Sequence, residues 1–391
     1  MARSLRLSSR VGVEPPNDLA AARQAAVAGG AAVWDLTDSN PTRHGLTDPA
    51  VMDVLAWHLD EAARYAPDPK GWRPAREALA ARFGGNPDDY WLTASTSEAY
   101  SWLFTILADP GEAVGVPAPG YPLVEPLARL AGLTTVGYPS FYVHPHGWEM
   151  DLDVARAVVD QVRAMVVVNP NNPTGAYLPA DVAAALGEAC AAAGVPLIAD
   201  EVFFPFRLSS SACGDRIADA ASDGGAVVIT LDGLSKLLAA PQLKVSWIRL
   251  SGPSELTAPL ADALDTIADT FLSVNSPVAC ALPELLTLAD ASIARITQRC
   301  ITNLAALQGL GDDYRLRHTE GGWTALVDVP RVMDDDELGR RLLEHGLAAH
   351  PGWFYDADGG SIAVSLLPAP EGFASAMERL VAALGWDHVF D

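Results

Sequence analysis

Apolar residues along this chain follow two rhythms. Short unbroken runs (Tyr90–Thr93, Ala113–Val116, Ala164–Val168, Val195–Ala199, Ala226–Leu231 and Val245–Leu250) alternate with longer stretches at helical spacing, among them Ser97–Ala108, Val124–Leu130 and Ala180–Ala193. A strand that is apolar at every position has both faces buried, so the pattern predicts an α/β fold: a parallel or mostly parallel sheet covered by helices on both sides. Pro74 in a first turn opens a further helix through Phe83, stopped by Gly84-Gly85. Helices expected over about Glu255–Ser273 and Leu282–Leu307 lead out of this unit. The remainder mixes strands (Trp323–Val329, Ser361–Leu367) with amphipathic helices (Asp334–His345, Glu371–Leu384), which reads as a smaller α+β domain. The organisation expected is an N-terminal arm (1–45) that joins the small domain, a large domain (46–280) and a small C-terminal domain (281–391).

In sheets of this kind ligands sit beyond the carboxyl ends of the strands. Five predicted strands end in unusual polar groups: Ser95-Thr96-Ser97, Pro119-Gly120-Tyr121, Asn169 to Gly175, Asp200-Glu201, and Ser235-Lys236. Five such loops converging on one edge mark a site. Thr96 and Ser97 open a helix, where backbone N–H groups and the helix dipole favour an anion; the alternative is an ordinary N-cap with Glu98 in the first turn. Tyr121 offers a flat face, or is a packed core aromatic. Asp200, at the end of a buried strand, needs a cationic or donor partner, and a protonated heteroaromatic nitrogen is one. Lys236 is either a reactive amine or a lysine whose stem carries its ammonium to water. A phosphate cradle, a flat aromatic, a buried acid and an amine together describe one ligand, pyridoxal phosphate.

Composition narrows the partners. The 391 residues carry a net charge of −23, which excludes the basic face that nucleic acid or an anionic membrane needs. Cys190, Cys213, Cys280 and Cys300 lack the spacing of a metal site, and His144-Pro145-His146 reads as a turn, so no metal is expected. Arg3, Arg6 and Arg10 are not followed by an apolar run fit for a signal peptide, and no membrane span is expected, which points to the cytoplasm. No G-x-G-x-x-G opens the first strand-helix unit, which sets a nicotinamide dehydrogenase aside.

The order of these pieces resembles the fold type I pyridoxal-phosphate enzymes of the aspartate aminotransferase superfamily, the class I/II aminotransferases. The likeness runs from about Asp35 to Val364. It is most specific at Asn172-Pro173-Thr174-Gly175, Asp200-Glu201-Val202 and Ser235-Lys236. It implies a seven-stranded-type sheet and a homodimer with shared active sites. Lys236 would be the Schiff-base lysine and proton shuttle, Asp200 the partner of the pyridine nitrogen, Asn172 a donor to the 3′-oxygen, and Tyr121 the stacking ring. Ser95, Thr96, Ser97, Ser235 and Lys244 would surround the phosphate, with Tyr65 reaching in from the other subunit. The implied activity is transamination of an amino acid or related amine. The rival activities are elimination or cyclisation on the same cofactor, and a non-catalytic sensor or scaffold on the same fold.

Three departures from that pattern bear on function. Phe203 stands where the family has a tyrosine donating to the 3′-oxygen, which should leave that oxygen more basic. Gly233 replaces the first serine of the family's Ser-x-Ser-Lys, and Lys244 replaces an arginine, a point charge in place of a bidentate fork. The arginine that grips the substrate α-carboxylate should fall near Ala363, and Ser361–Ser365 contains none. Arg43, beyond Asn40-Pro41, is the candidate replacement, or else a solvent-exposed loop residue. Asn40 and Trp323, the latter after the paired Gly321-Gly322, are the other candidate substrate contacts, with Trp353 as a second possible wall.

Overall fold

The structure, a computed structural model, describes residues 5, 7–12, 16–209, 214–221, 224–272, 274–310, 314–329, 333–357 and 359–384. Arg3, Arg6, Cys213 and Ser273 lie outside the described residues. After the short strand β1 (Trp34–Asp35), the chain builds β2 (Tyr90–Thr93), β3 (Ala113–Ala118), β4 (Thr134–Val143), β5 (Gly147–Met150), β6 (Met165–Val168), β7 (Leu197–Asp200), β8 (Val228–Gly233) and β9 (Ser246–Ser251). These eight form one sheet in the order β2-β9-β8-β7-β6-β3-β4-β5. The five central strands, β8 through β4, run parallel. β9 and β2 close one edge antiparallel, and β5 folds back on β4 at the other. The β4–β5 hairpin takes the sheet to eight strands, and His144-Pro145-His146 is the turn between them.

Strand alternation explains the two-sided core. Val166, Val168, Ile198 and Ile229 point to the face covered by the helices Thr96–Leu107, Val124–Ala131 and Ser254–Phe271. Met165, Val167, Leu197 and Val228 point to the face covered by Leu152–Val159 and Ala180–Ala193. The register places Val168 opposite Asp200, and Asp200 opposite Leu231. The loops leaving β6, β7 and β8 therefore emerge side by side.

The second sheet comprises β10 (Arg315–Leu316), β11 (Thr324–Asp328), β13 (His350–Pro351) and β14 (Ser361–Ser365), in the order β10-β11-β14-β13. Between them β12 (Leu347–Ala348) pairs in parallel with β1, so the N-terminal segment is tied to the C-terminal one by backbone hydrogen bonds. Asn17 caps the helix Asp18–Ala28, as its side chain accepts from Ala20 N.

The helix expected from about Leu282 to Leu307 is instead Ser276–Leu285 and Ala289–Gln308, joined by a 3-10 turn. Residue 280 falls inside the first of these, which packs with the helices Ala50–Trp57 and Arg73–Phe83 against the large sheet. The change of partner comes along the second helix: Ala289 belongs to that core, and Ile296, Cys300 and Leu304 to the core of the C-terminal sheet. The run Ser276–Gln308 is long and apolar enough to cross a membrane by length and composition, and half of its most apolar window is buried inside the molecule.

Candidate active site

The edge at which β6, β7 and β8 end opens into a cavity of about 250 Å³. Its lining brings together Thr96, Tyr121, Asn172, Asp200, Ser235, Lys236 and Trp323 from the sequence-derived set, and Phe203 and Gly233 from the departures.

Lys236 lies on a one-turn helix, Leu234–Leu237, that starts as β8 stops. Its Nζ lies 5.2 Å from the centre of the Phe203 ring and 5.0 Å from that of Trp323. Burial among these rings lowers its pKa from 10.5 to about 8, against the pull of Asp200. A larger neutral fraction than an ordinary lysine offers is thus present near neutral pH, as a nucleophile requires.

Asp200 is the last residue of β7. Its Oδ1 accepts from Val202 N at 3.3 Å, and its Oδ2 from the Tyr100 hydroxyl at 3.1 Å. Burial raises it from 3.8 to about 6, with both hydrogen bonds and Lys236 opposing the rise. The carboxylate is thus held in place while short of a full positive partner. Tyr100 was not singled out from sequence. Its signal was helical spacing, one turn after Thr96 on the inward face of the same helix.

The two consecutive asparagines have separate tasks. Asn171 is structural: its Nδ2 donates to Pro119 O at 3.2 Å and its Oδ1 accepts from the Thr174 hydroxyl at 3.0 Å. Asn172 lines the cavity, and its buried Oδ1 has no partner among the described residues. Gly175 holds this loop down. Its φ is +70°, and an added Cβ would meet Thr319 Cγ2 at 2.5 Å. Its carbonyl accepts from Glu320 N and Gly321 N, which binds the loop to the segment leading into Trp323.

At the Thr96–Leu107 helix, Ser95 is the N-cap, with its Oγ accepting from Glu98 N at 3.1 Å. Glu98 in turn accepts from Ala94 N at 2.6 Å. The first N–H groups of a helix have no intrahelical partner, so those of Thr96 and Ser97 remain for a ligand. Ser95 and Ser97 do not line the cavity, whereas Ser246 does. Ser246 also accounts for Gly233, since a Cβ there would run into its hydroxyl. The hydroxyl that the serine pattern supplies from one strand is here available from the neighbouring strand.

Four expected contacts fall elsewhere in the single chain. Lys244 is exposed and does not line the cavity. Tyr65 is 74 % exposed and borders a separate hollow with Arg64, Asn275 and Cys280. Asn40 caps the 3-10 turn Pro41–His44 by accepting from Thr42 N. Arg43 on that turn has a side chain 69 % exposed and 3.5 Å from Asp38. Neither Asn40 nor Arg43 lines the cavity of the single chain, whereas Thr37 and Ser39, just before that turn, do. Trp353 likewise stays outside, and Phe354 and Tyr355 take its place. His350 also lines the wall: its Nδ1 is 3.3 Å from the Tyr355 hydroxyl, and burial lowers its pKa to about 4. Among the described residues no cluster of metal-ligating side chains occurs.

A second group joins Glu201 to Arg216 and Asp232, two residues that the sequence did not single out. Arg216 pairs with Glu201 at 2.7 Å and lies 3.9 Å from Asp232, whose Oδ2 has no hydrogen-bond partner. Burial raises Asp232 from 3.8 to about 7 despite Arg216 and the Gly233 N–H. A carboxyl raised on folding keeps its proton longer than in the unfolded chain, so stability is lost as pH rises from about 4 through about 7. Asp232→Asn should therefore raise the unfolding free energy at pH 8, by at most about 4 kcal/mol, with the gain shrinking to nothing near pH 4. A gain that is unchanged across this range sinks the assignment.

A family model described as aminotransferase class I and II matches residues 38–373. The chain belongs to the aminotransferase class I and II family. It is 29 % identical over 311 residues to an alanine aminotransferase of Mycobacterium tuberculosis, covering 77 % of this chain and 68 % of that one. It is 30 % identical over 253 residues to an S-alkyl-thiohydroximate lyase of Arabidopsis thaliana, covering 62 % and 52 %. Among solved structures, an aspartate aminotransferase double mutant of Thermus thermophilus superposes with a TM-score of 0.83 at 26 % identity, covering 97 % of this chain and all of the other. Class I and II aminotransferases use pyridoxal phosphate, and this chain is an aminotransferase.

The residues present fit that cofactor. A buried amine, a buried carboxylate short of a cation, a donor-acceptor amide and free helix N–H groups line one cavity.

Proposed function

We propose that this chain is a pyridoxal-phosphate-dependent aminotransferase that acts on an amino acid or related amine through Lys236, as a cytoplasmic homodimer. The observation that carries this is the meeting of Lys236 and Asp200, 36 residues apart in sequence, in one enclosed cavity at the ends of adjacent parallel strands.

The cofactor, when bound, supplies a ring that withdraws negative charge from the donor carbon. The chain's residues do the rest. Asp200, as an anion fixed by Tyr100 and Val202, would hold a proton on the ring nitrogen. Lys236, freed as a neutral amine, moves the proton at the donor Cα. Thr96, Ser235, Ser246 and the helix N-terminus would hold the phosphate. Tyr121, raised to about 12 by burial and then by Asp200, stays protonated and offers both a face and a hydroxyl donor. The exposed Tyr65 suits a site completed by a second copy.

Borohydride reduction of cofactor-saturated protein followed by peptide mapping should place the label on Lys236. Label elsewhere, or none, overturns the proposal. With donor alone, one carbonyl product should form per site and then stop. Continuing turnover without an acceptor indicates a lyase. Phe203→Tyr restores a phenol beside Lys236, and it should lower the midpoint of the pH-dependent visible absorption change of loaded protein. An unmoved midpoint removes Phe203 from that role.

A further inference from the structure

We infer that the amine this enzyme takes best carries no free α-carboxylate: an amino alcohol, an amino acid amide or a simple primary amine, with an aromatic or aliphatic body. This rests on the proposed function and narrows its substrate.

A carboxylate drawn into an enclosed site loses several kcal/mol of hydration unless a cation or a full set of donors receives it. Among the described residues lining the cavity, Lys236 is the one lysine or arginine, and the reaction itself uses its amine. The C-terminal sheet faces the cavity with Ala363 and Ser365 of β14. Ser365 is already committed, its hydroxyl donating to Asp38 O at 2.8 Å. Two arginines bonded to the segment 35–38 that Ser365 meets are also engaged, and Arg299 donates to Leu367 O at 2.9 Å. Arg43 lies outside, beside Asp38, and Arg23 is paired with Asp35 and donates to Thr37 Oγ1 at 3.4 Å. What remains of the wall is aromatic, Trp323, Phe354 and Tyr355, with the uncharged groups of Thr37, Ser39, Thr324 and His350 between them and no cation among them.

The charge at the site adds to this. Burial keeps His350 neutral near pH 7, and Asp200 is the acid of the lining. A substrate carboxylate would add to Asp200 and the cofactor phosphate in a site whose one lysine is consumed by chemistry, in a molecule of net charge −23. A hydroxyl, an amide or hydrogen at the same position carries no such penalty and can still meet the polar edges of Asn172 and Tyr355. Specificity of this kind comes from withholding a partner from the wrong ligand.

The test compares matched donors on two bodies with cofactor-saturated protein: L-phenylalanine, L-phenylalaninamide, L-phenylalaninol and 2-phenylethylamine, then L-leucine, L-leucinamide and L-leucinol. The half-reaction is followed by absorbance and by quenched carbonyl product. For each body at least one carboxylate-free donor should exceed the free amino acid at least tenfold in kcat/KM. Ala363→Arg should reverse the order within its own panel. Free amino acids equal to or better than their partners on either body overturn the inference, whichever chain supplies the missing cation. So does a complete absence of response to the carboxylate-free donors. Label at Lys236 with free acids preferred defeats this inference alone, whereas loss of the label defeats the proposed function.

Discussion

Lys236→Ala should reduce the donor half-reaction by at least about 10³-fold, because a positioned base alone supplies roughly 10²–10⁴ and the nucleophilic route is lost with it. Phosphate and ring contacts from Thr96, Asn172 and Tyr121 remain, so the variant should still bind the cofactor, now without a reducible covalent link. Stopped-flow absorbance with saturating donor measures the rate, and equilibrium dialysis measures binding. The side chain is enclosed by Phe203 and Trp323, so alanine leaves a void. Lys236→Met, close in volume, separates the chemical loss from any packing loss. A methionine variant that retains a tenth of the wild-type rate would remove the amine from the reaction.

Asp200→Asn should lower kcat by on the order of 10²–10³-fold, the usual cost of removing one preorganised electrostatic partner from an enclosed site. Asparagine preserves the volume and the acceptor for Val202 N, and it cannot hold a proton on a ring nitrogen by charge. The loss should fall on kcat more than on KM, since the charge matters most as negative charge develops on the donor carbon. Tyr100→Phe, which deletes the Oδ2 partner and leaves the charge, should cost far less. Equal losses in the two variants, or a loss confined to KM, would assign Asp200 to folding or donor binding.

The large sheet was legible because its strands bury both faces. Continuous apolar runs such as Ala164–Val168 announce themselves without reference to the rest of the chain. The β4–β5 hairpin was not legible for the converse reason: it lies at the sheet edge with most residues part-exposed or exposed, and no apolar run marks it. The site divides in the same way. Asp200, Asn172 and Lys236 stand at strand ends in short sequence-local motifs, so their neighbours in the chain identify them. Tyr100, Ser246, His350 and Tyr355 are ordinary residues locally, and they belong to the site because of what folds against them.

Arg43 shows the limit most plainly. Sequence supplied the residue type wanted near the site and the loop that carries it. A capped 3-10 turn, Asn40 to His44, rotated it to the surface. Alone, the sequence determined an α/β chain of this family and singled out an amine, an acid and an amide that the fold brings to one cavity, because local periodicity and contiguous motifs are properties of neighbours along the backbone. Only the tertiary structure decided which side chains enclose the cavity, how far burial moves Lys236 and Asp200 from their ordinary pKa values, and that Lys236 is the one lysine or arginine among the described residues lining it. Desolvation and side-chain direction depend on contacts between residues tens to hundreds of positions apart, and no stretch of chain carries that information by itself.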